Sequence, residues 1–439
     1  MNKIYLAVLL FFCFTFPHKV FAIEDNIQIN LQEAINIAVE KNIDLEAAKI
    51  NIDIAKNKIK SSNRLQNPDV GFFYNLGAAG HSEPHQLGIR EVIELGKRHS
   101  RKDFAKLTKE LEDENFKYKK FQLKMDVREA YINLIAEKSI LDTLEQQKDL
   151  QEELNNIVKK RVTNKKAPEI DALQSEIALN QMITQVNSAK VSVRNALIYF
   201  NKVINPKEPV SYETKDKIFL EENNFEELLT PDPALEIPPF EEIKERALKN
   251  RYDIKIAKKK VDIARKNISI VTNQRIPDVE VSGGYQFLRA GQSDTGDYKS
   301  GAYIGANLVN LPFFYTYKPE IENARLEYEQ AEMNYISTIN KAIKDVDAAY
   351  AKFVIARTNL NYYEKKILVS SDELIKTSIK NYNSGNTDLT SLIVMKQSYK
   401  SIIIGYAHAL AEYYNSWTFF LREVNDESFD LYKEHDINL

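Results

Sequence analysis

Cysteine is all but missing from this chain of 439 residues; the only one is Cys13. It lies in a stretch where Lys3 precedes an apolar run from Ile4 to Phe16, and where Val20-Phe21-Ala22 offers a small-residue cleavage site. Residues 1–22 are therefore expected to be a signal peptide. Phe11-Phe12 before the cysteine are too bulky for a lipoprotein signal. A mature chain would hold no thiol, which excludes disulfides and cysteine-ligated metal. An excess of one charge is also missing. Without Lys3 and Lys19 there remain 58 basic and 63 acidic residues, a net charge of −5, and no footprint for nucleic acid. Long apolar runs are absent: no later stretch approaches the roughly 18 apolar residues of a transmembrane helix. A secreted chain of this kind is either soluble or spans a membrane as a β-barrel.

Glycine and proline are absent from two long stretches, 71 residues between Gly96 and Pro168 and 65 between Pro319 and Gly385. Both are rich in Lys, Glu, Leu, Ala and Gln, good helix formers. Apolar residues recur at three-four spacing: Leu123, Val127, Ala130, Leu134, Leu141, Leu144, Leu150, Leu154 and Ile157 in the first stretch. The second has Ile339, Ile343, Val346, Tyr350, Phe353 and Leu360, with Arg357 also on the seam. This predicts two coiled-coil helices of roughly 100 Å at 1.5 Å per residue. Short breaks at 161–169 and 381–389 precede partner helices over about 170–203 and 390–424. Pro168 suits a first helical turn, and Asn386, Thr387 and Asp388 are candidate caps. Medium helices are expected over about 31–66 and 240–274.

What is present is also written twice. At an offset of 209, Ala38, Asp44, Asp53-Ile54-Ala55 and Pro68-Asp69-Val70 recur as Ala247, Asp253, Asp262-Ile263-Ala264 and Pro277-Asp278-Val279. At 219, Ala105, Leu107, Glu110, Asn115 and Ala130-Tyr131 recur as Ala324, Leu326, Glu329, Asn334 and Ala349-Tyr350. One structural unit is used twice. The expected organisation is a first repeat at 23–204, a proline-rich connector at 205–239, a second repeat at 240–424 and a polar tail at 425–439.

Inside each repeat the apolar period changes from 3.6 to 2. Val70, Phe72, Tyr74, then Leu87, Ile89, Ile93 and Leu95 share faces in hairpin 69–95, interrupted by Glu91. Val279, Val281, Tyr285 and Phe287, then Ala302, Ile304, Ala306 and Leu308, do so in hairpin 278–311. Phe72, Phe73, Tyr74, Tyr285 and Phe287 are candidates for an interfacial aromatic girdle. The strands have the length of transmembrane β-strands. Four strands cannot close a barrel, and open edges are not tolerated in lipid. Either several chains share one barrel, or a small soluble sheet caps a coiled coil.

This arrangement resembles the TolC-like outer-membrane efflux family over nearly the whole mature chain. The resemblance rests on the duplicated helix–hairpin–long helix–helix pattern, on the strand entries Asn67-Pro68-Asp69-Val70 and Ile276-Pro277-Asp278-Val279, and on the helix–helix tips. It implies a mainly α fold with a small β part: duplicated long helical hairpins plus four transmembrane strands per chain. Three chains would form a trimeric α/β barrel, with a twelve-stranded barrel in Gram-negative outer-membrane lipid and a helical tunnel through the periplasm. The implied partners are a periplasmic adaptor (membrane fusion) protein at the tip and an inner-membrane pump of RND or similar type. No cofactor and no nucleic acid are implied. The stretch Glu94-Leu95-Gly96-Lys97-Arg98, with Arg101 following, is similar to the Glu-Leu-Gly-Gly-Lys-Arg junction of the heavy-metal (CzcC-like) branch, one glycine short. That branch implies divalent metal cations as cargo; other members export drugs or type I secreted polypeptides. From a different class, a periplasmic coiled-coil structural protein would fit the helices alone.

In the family each tip has Arg or Tyr, two residues, Gly, five residues, then Asp and Leu. Tyr382 and Gly385 match in the second repeat, but Ser391 replaces the Asp. In the first repeat Arg161 precedes Lys165, which stands where the Gly is expected and implies strain or a different turn, and Asp171 matches. The resemblance assigns adaptor contact and pore closure to Arg161, Lys165, Asp171, Tyr382, Gly385 and Ser391, with Asp388 as a substitute acidic gate residue. His81, Glu83 and His85 sit in a polar loop, where two imidazoles and a carboxylate could bind zinc. No nucleophile–base grouping, phosphate loop or paired-carboxylate site stands out, so no enzyme is expected.

Overall fold

A computed structural model describes residues 27–74, 85–208, 210–215, 239–287 and 300–425. The expected signal peptide, His81, Glu83, residues 426–439 of the tail and most of the connector lie outside these.

The chain opens with β1 (Ile27–Ile29) and α1 (Leu31–Lys41). Asn30 caps α1 by accepting from the Glu33 amide at 2.8 Å, and the Glu33 carboxylate accepts from the Asn30 amide in return. The medium helix expected over 31–66 is interrupted at Asn42. Its side chain accepts from the Leu45 amide at 2.9 Å, so α2 (Ile43–Ser62) begins afresh. The same amide group donates to the carbonyls of Val203 and Ile204, at 3.2 and 3.0 Å. The second repeat breaks in the same place. Arg251 separates α5 (Phe240–Asn250) from α6 (Tyr252–Asn273) and donates to the Glu423 carbonyl at 2.9 Å. Each break thus ties its medium helices to the end of the last helix of its repeat.

The first hairpin is β2 (Asp69–Phe73) and β3 (His85–Ile93); α3 (Lys97–Thr163) follows, 67 residues without interruption. It turns into α4 (Glu169–Ile204), for which Pro168 is the N-cap rather than a first-turn residue. After α4, β4 (Tyr212–Thr214) pairs in parallel with β1, a contact that no periodicity announced. The second hairpin is β5 (Asp278–Phe287) and β6 (Gly301–Val309). Next come α7 (Lys318–Tyr362), a π-helical turn at Tyr363–Ile367, α8 (Leu368–Asn383) and α9 (Leu389–Val424). The second long helix therefore runs from Lys318 to Asn383 with one π-helical turn inside it. The four hairpin strands form one antiparallel sheet in the order β2-β3-β5-β6, joined across the repeats by β3–β5.

The main core lies where both repeats' helices converge. Trp417, Phe353, Phe420, Tyr131 and Phe200 are fully buried there, with Phe353 and Trp417 centroids 5.0 Å apart. Each such side chain contributes about 1.5–3 kcal/mol by burial. The three-four seams continue outward: Val127, Ala130, Leu134, Leu144 and Leu154 on α3, and Val346, Phe353 and Leu360 on α7, are buried. Leu150 and Ile157 are exposed instead, because Gln151 and Val158 take the seam positions beside them. Arg357 is also exposed; Ala356 holds the seam there.

Candidate functional site

Three surfaces carry the function-bearing residues, and the first is the sheet. Alternation puts Val70, Phe72, Leu87, Ile89, Ile93, Val281, Tyr285, Ile304 and Leu308 on one face, and all are exposed large apolar residues. Ile304 is 86% exposed and Val70 72%. Phe72, Tyr74, His85 and Phe287 cluster on this face, with Tyr74 stacked on His85 at 4.2 Å and Phe72 on Phe287 at 6.2 Å. Phe73 leaves the expected girdle: it belongs to the opposite face, where Arg90 lies 5.6 Å from its ring. That face is polar, with Glu280, Ser282, Gln286 and Asn307 in its rows. An apolar side and a polar side, with unpaired edges at β2 and β6, is the surface of a lipid-embedded barrel segment. His85 is the only member of the His81, Glu83 and His85 group within the described residues. Among those residues no group of three or more His, Cys, Asp or Glu side chains could hold a metal ion.

The second surface is the strand-to-helix junction. Gly96 takes a left-handed φ of 74° and starts α3. Lys97 then turns inward to Asp278, Nζ to Oδ2 2.8 Å. Arg98 Nε donates to the Asn63 carbonyl at 2.8 Å. Arg101 donates through both terminal nitrogens to Glu94, at 2.6 and 2.5 Å. This bidentate pair holds the Glu94 carboxyl below the usual carboxylate range. All five residues singled out from the sequence meet here, as a clamp between sheet and helices. An open polar cleft beside it is lined by Ser61, Arg64, Asp69, Glu94 and Arg101.

The third surface is the pair of helix tips. Both end in the same hydrogen-bonded turn. Lys165 donates to the Val162 carbonyl and Lys166 to Arg161; Gly385 donates to Tyr382 and Asn386 to Asn381. Lys165 adopts φ 56° and Gly385 φ 74°, so lysine occupies the left-handed position itself and no different turn is formed. The equivalence sets Arg161 against Asn381 and Val162 against Tyr382. Arg161 instead lies over Tyr382, 5.4 Å from the ring centroid, linking the two tips. Leu389 and Leu392 pack against Leu154 and Val158 beneath this contact. Thr390 Oγ1 donates to Gln174 Oε1 at 3.1 Å, a link that sequence spacing did not reveal. Asp171 is half-buried at the start of α4. Asp388 is exposed and caps α9 by accepting from the Ser391 amide at 3.3 Å; the Ser391 hydroxyl first, and this amide after it, lower its pKa. Its carboxylate is thus committed to the helix end.

Residues 244–418 match the family model described as outer membrane efflux protein. The toxin and drug export protein A of Aggregatibacter actinomycetemcomitans is 24% identical over 155 residues, 35% of this chain and 33% of that protein. The chain thus matches about a third of that relative's length. The Campylobacter jejuni CmeC outer membrane channel superposes with a TM-score of 0.73 at 17% identity, covering 90% of this chain and 85% of that one. The Neisseria gonorrhoeae MtrE outer membrane channel, solved in its open state, gives 0.71 at 18% identity over 90% and 88%. At these identities the likeness is one of fold.

Proposed function

We propose that the chain is a member of the TolC-like outer-membrane efflux family and serves as the passive exit duct of a tripartite efflux system. In this reading three copies close a twelve-stranded barrel in the outer membrane, and their helices line a periplasmic tunnel. A periplasmic adaptor protein docks at the tips and connects the duct to an inner-membrane pump of RND or similar type. The observation that carries the reading is the sheet: one apolar exposed face, one polar face and two unpaired edges, on top of helices that are polar outside. An isolated chain would leave both edges unsatisfied in lipid. The duct has no chemistry to perform, so it needs no catalytic group.

At the tips, Arg161, Lys165, Asp171, Tyr382, Gly385, Asp388 and Ser391 form the proposed adaptor-contact and closure surface. The Arg161–Tyr382 contact and the Thr390–Gln174 bond favour the closed arrangement, and adaptor binding shifts that equilibrium by contacting the open one better. An acidic gate ring is not part of this proposal, because Ser391 stands where its aspartate would and Asp388 serves as a cap.

The proposed cargo is divalent metal cations, supported by the Glu94–Arg98 stretch at the junction. Export of drugs or polypeptides is the second reading, favoured by the relative named for toxin and drug export. Deleting the gene and measuring tolerance to zinc, cobalt and cadmium against a drug panel separates them. Loss of drug tolerance alone would sink the metal reading. Recovery of the protein as a soluble monomer, outside the outer-membrane fraction, would sink the duct itself.

A further inference from the structure

The apolar packing of α9 against α3 and α4 is interrupted partway to the tips. Ile140, Leu144, Val186, Ala189 and Ala407 form one buried cluster. Leu154, Val158, Leu389 and Leu392 form another, nearer the tips. Between them the interior turns polar. Gln151 is 5% exposed and Ser175 fully buried; Gln151 Nε2 donates to the Ser175 carbonyl at 3.5 Å. The Ser175 hydroxyl makes no hydrogen bond among the described residues. A cavity of about 30 Å³ lies at this level. Gln147 and Gln151 line it from α3, Gln181 and Gln185 from α4, and Lys396 and Lys400 from α9. Met182, packed on the first cluster, and Ile393, packed on the second, also line it. None of its lining residues is a carboxylate.

Lys396 and Lys400 stand one helical turn apart, so both ammonium groups reach the same side of α9. Lys400 Nζ donates to Gln185 Oε1 at 2.7 Å, an uncharged acceptor. Lys396 has no hydrogen-bond or ion-pair partner among the described residues. Burial pushes both lysines below their usual range, opposed at Lys396 by the charge of Glu153. Nearby lysines are treated differently: Lys159 pairs with Glu176 at 3.0 Å and Lys190 with Glu145 at 3.1 Å. The repeats sharpen the contrast. Their tips and last helices correspond at an offset of 220, as Lys165 with Gly385 and Asn205 with Asn425 show. At that offset Lys396 and Lys400 fall on Glu176 and Asn180 of α4. The fold does not require lysine at these two positions, and the cationic cavity belongs to one side of the duplication.

We propose that this cavity binds one small monovalent anion, of the size of chloride, between the ammonium groups of Lys396 and Lys400. The volume of about 30 Å³ has room for about two water-sized occupants, at roughly 10–15 Å³ each. A halide fits that space, and a tetrahedral oxyanion overfills it. Lys400 engages the oxygen of the Gln185 amide, which leaves the Gln185 Nε2 hydrogens to donate to the ion. The anion supplies the counter-charge that the lining lacks for two half-buried cations. It also joins the repeats, since α3 and α4 belong to the first and α9 to the second. The site lies behind the tip contacts Arg161–Tyr382 and Thr390–Gln174. Moving α9 off α4 divides the two sides of the site, so occupancy favours the arrangement in which they lie together. The inference needs the helices of one chain alone and does not rest on the duct reading.

Anion exchange at constant ionic strength tests this, because it holds charge screening equal. The full chain is purified in detergent and melted in sodium chloride, sodium bromide and sodium gluconate. A saturable rise in melting temperature of about 2–4 °C in either halide over gluconate is expected. Lys396→Gln should abolish that difference. In gluconate it should melt at or above the native protein, because it removes one of two cations that lack a counter-charge. Lys190→Gln, outside the cavity, should keep the difference. Chloride NMR reads binding on the native protein without any variant: the chloride line broadens, and bromide reverses the broadening by competition. An equal melting temperature in halide and gluconate, broadening that bromide does not reverse, or a halide effect that persists in Lys396→Gln would each overturn the site.

Discussion

Lys97 Nζ lies 2.8 Å from Asp278 Oδ2, with the two side chains only 8% and 4% exposed. The pair joins the first residue of the first repeat's long helix to the first residue of the second repeat's first strand. Asn310 Nδ2 donates to the same Asp278 oxygen at 2.9 Å. The ion pair is thus the buried rivet between the halves. Replacing Asp278 with Asn leaves the Lys97 ammonium buried without a counter-charge, which costs about 3–5 kcal/mol. The paired substitution Lys97→Met with Asp278→Leu should cost less than Asp278→Asn alone. Thermal unfolding of the native protein and the two variants, followed by circular dichroism, checks this. A double variant no more stable than the single one would show that the pair does more than neutralise burial.

Acid should loosen the junction through Glu94. Its carboxyl lies below the ordinary range in the folded chain, chiefly because Arg101 donates to it. A depressed folded pKa means that the contribution is fully present above the unfolded value of about 4.3 and is lost as pH falls through the folded value. With solvent screening the pair is worth about 1 kcal/mol. Melting temperatures measured from pH 7 down to pH 3 should fall more for the native protein than for Glu94→Gln. Parallel curves would refute the assignment.

Much of the fold was legible in the sequence, for reasons that particular residues make clear. The hairpins announced themselves because lipid-facing residues such as Val70 and Ile304 must be apolar while their neighbours need not be. The long helices were legible because glycine and proline vanish between Gly96 and Pro168. The breaks at Asn42 and Arg251 were hidden. Neither is a usual helix breaker, and each earns its place only through carbonyls at the end of a helix some 160–170 residues away. The β1–β4 ladder is three residues long, too short for any period to show. At the tips, the turn could be read from Gly385 but not from Lys165, whose left-handed φ runs against its type. At the junction Glu94 and Arg101 were singled out, but their mutual pairing, and that of Lys97 with Asp278, needed coordinates.

The tip turns make a matched pair of predictions. A Cβ on Gly385 would meet nothing within 4 Å, so Gly385→Ala carries only the backbone cost of φ 74°, about 1 kcal/mol. Lys165→Gly removes a similar strain from the other tip and is near neutral or stabilising, since the added freedom of the unfolded chain offsets part of the gain. Asp388→Ala removes the α9 cap and costs about 1 kcal/mol, while Asp388→Asn keeps an accepting oxygen and costs little. Amide hydrogen exchange at the tips reads these local changes even where global melting does not move. Equal exchange in Gly385→Ala and Lys165→Gly would contradict the shared-turn account.

The π-turn at Tyr363–Ile367 has a counterpart that is an ordinary helix. The repeats correspond at an offset of 219 as far as Tyr131 and Tyr350, and at 220 from Lys165 and Gly385 to Asn205 and Asn425, all four of the latter in left-handed conformations. One residue has therefore entered the second repeat between these points, and the π-turn is the only non-α segment there to absorb it. The Tyr363 ring is set against α9 at Gly405, where a Cβ would come within 2.6 Å of the tyrosine oxygen. Deleting exposed Glu364 should convert the turn to regular α-helix and leave the seams on both sides in register, with stability changed by no more than about 1 kcal/mol. Deleting exposed Ala348 from the regular part of α7 offers no such relief. It rotates every later residue by about 100° and sets Arg357 and Asn361 at the seam positions that Ala356 and Leu360 occupy. The expected outcome is an assembled, heat-resistant protein for the first deletion and an aggregated one for the second, read by gel migration before and after heating. Equal loss of assembly in both would mean that the π-turn is not an inserted residue but a part of the wall that the fold requires.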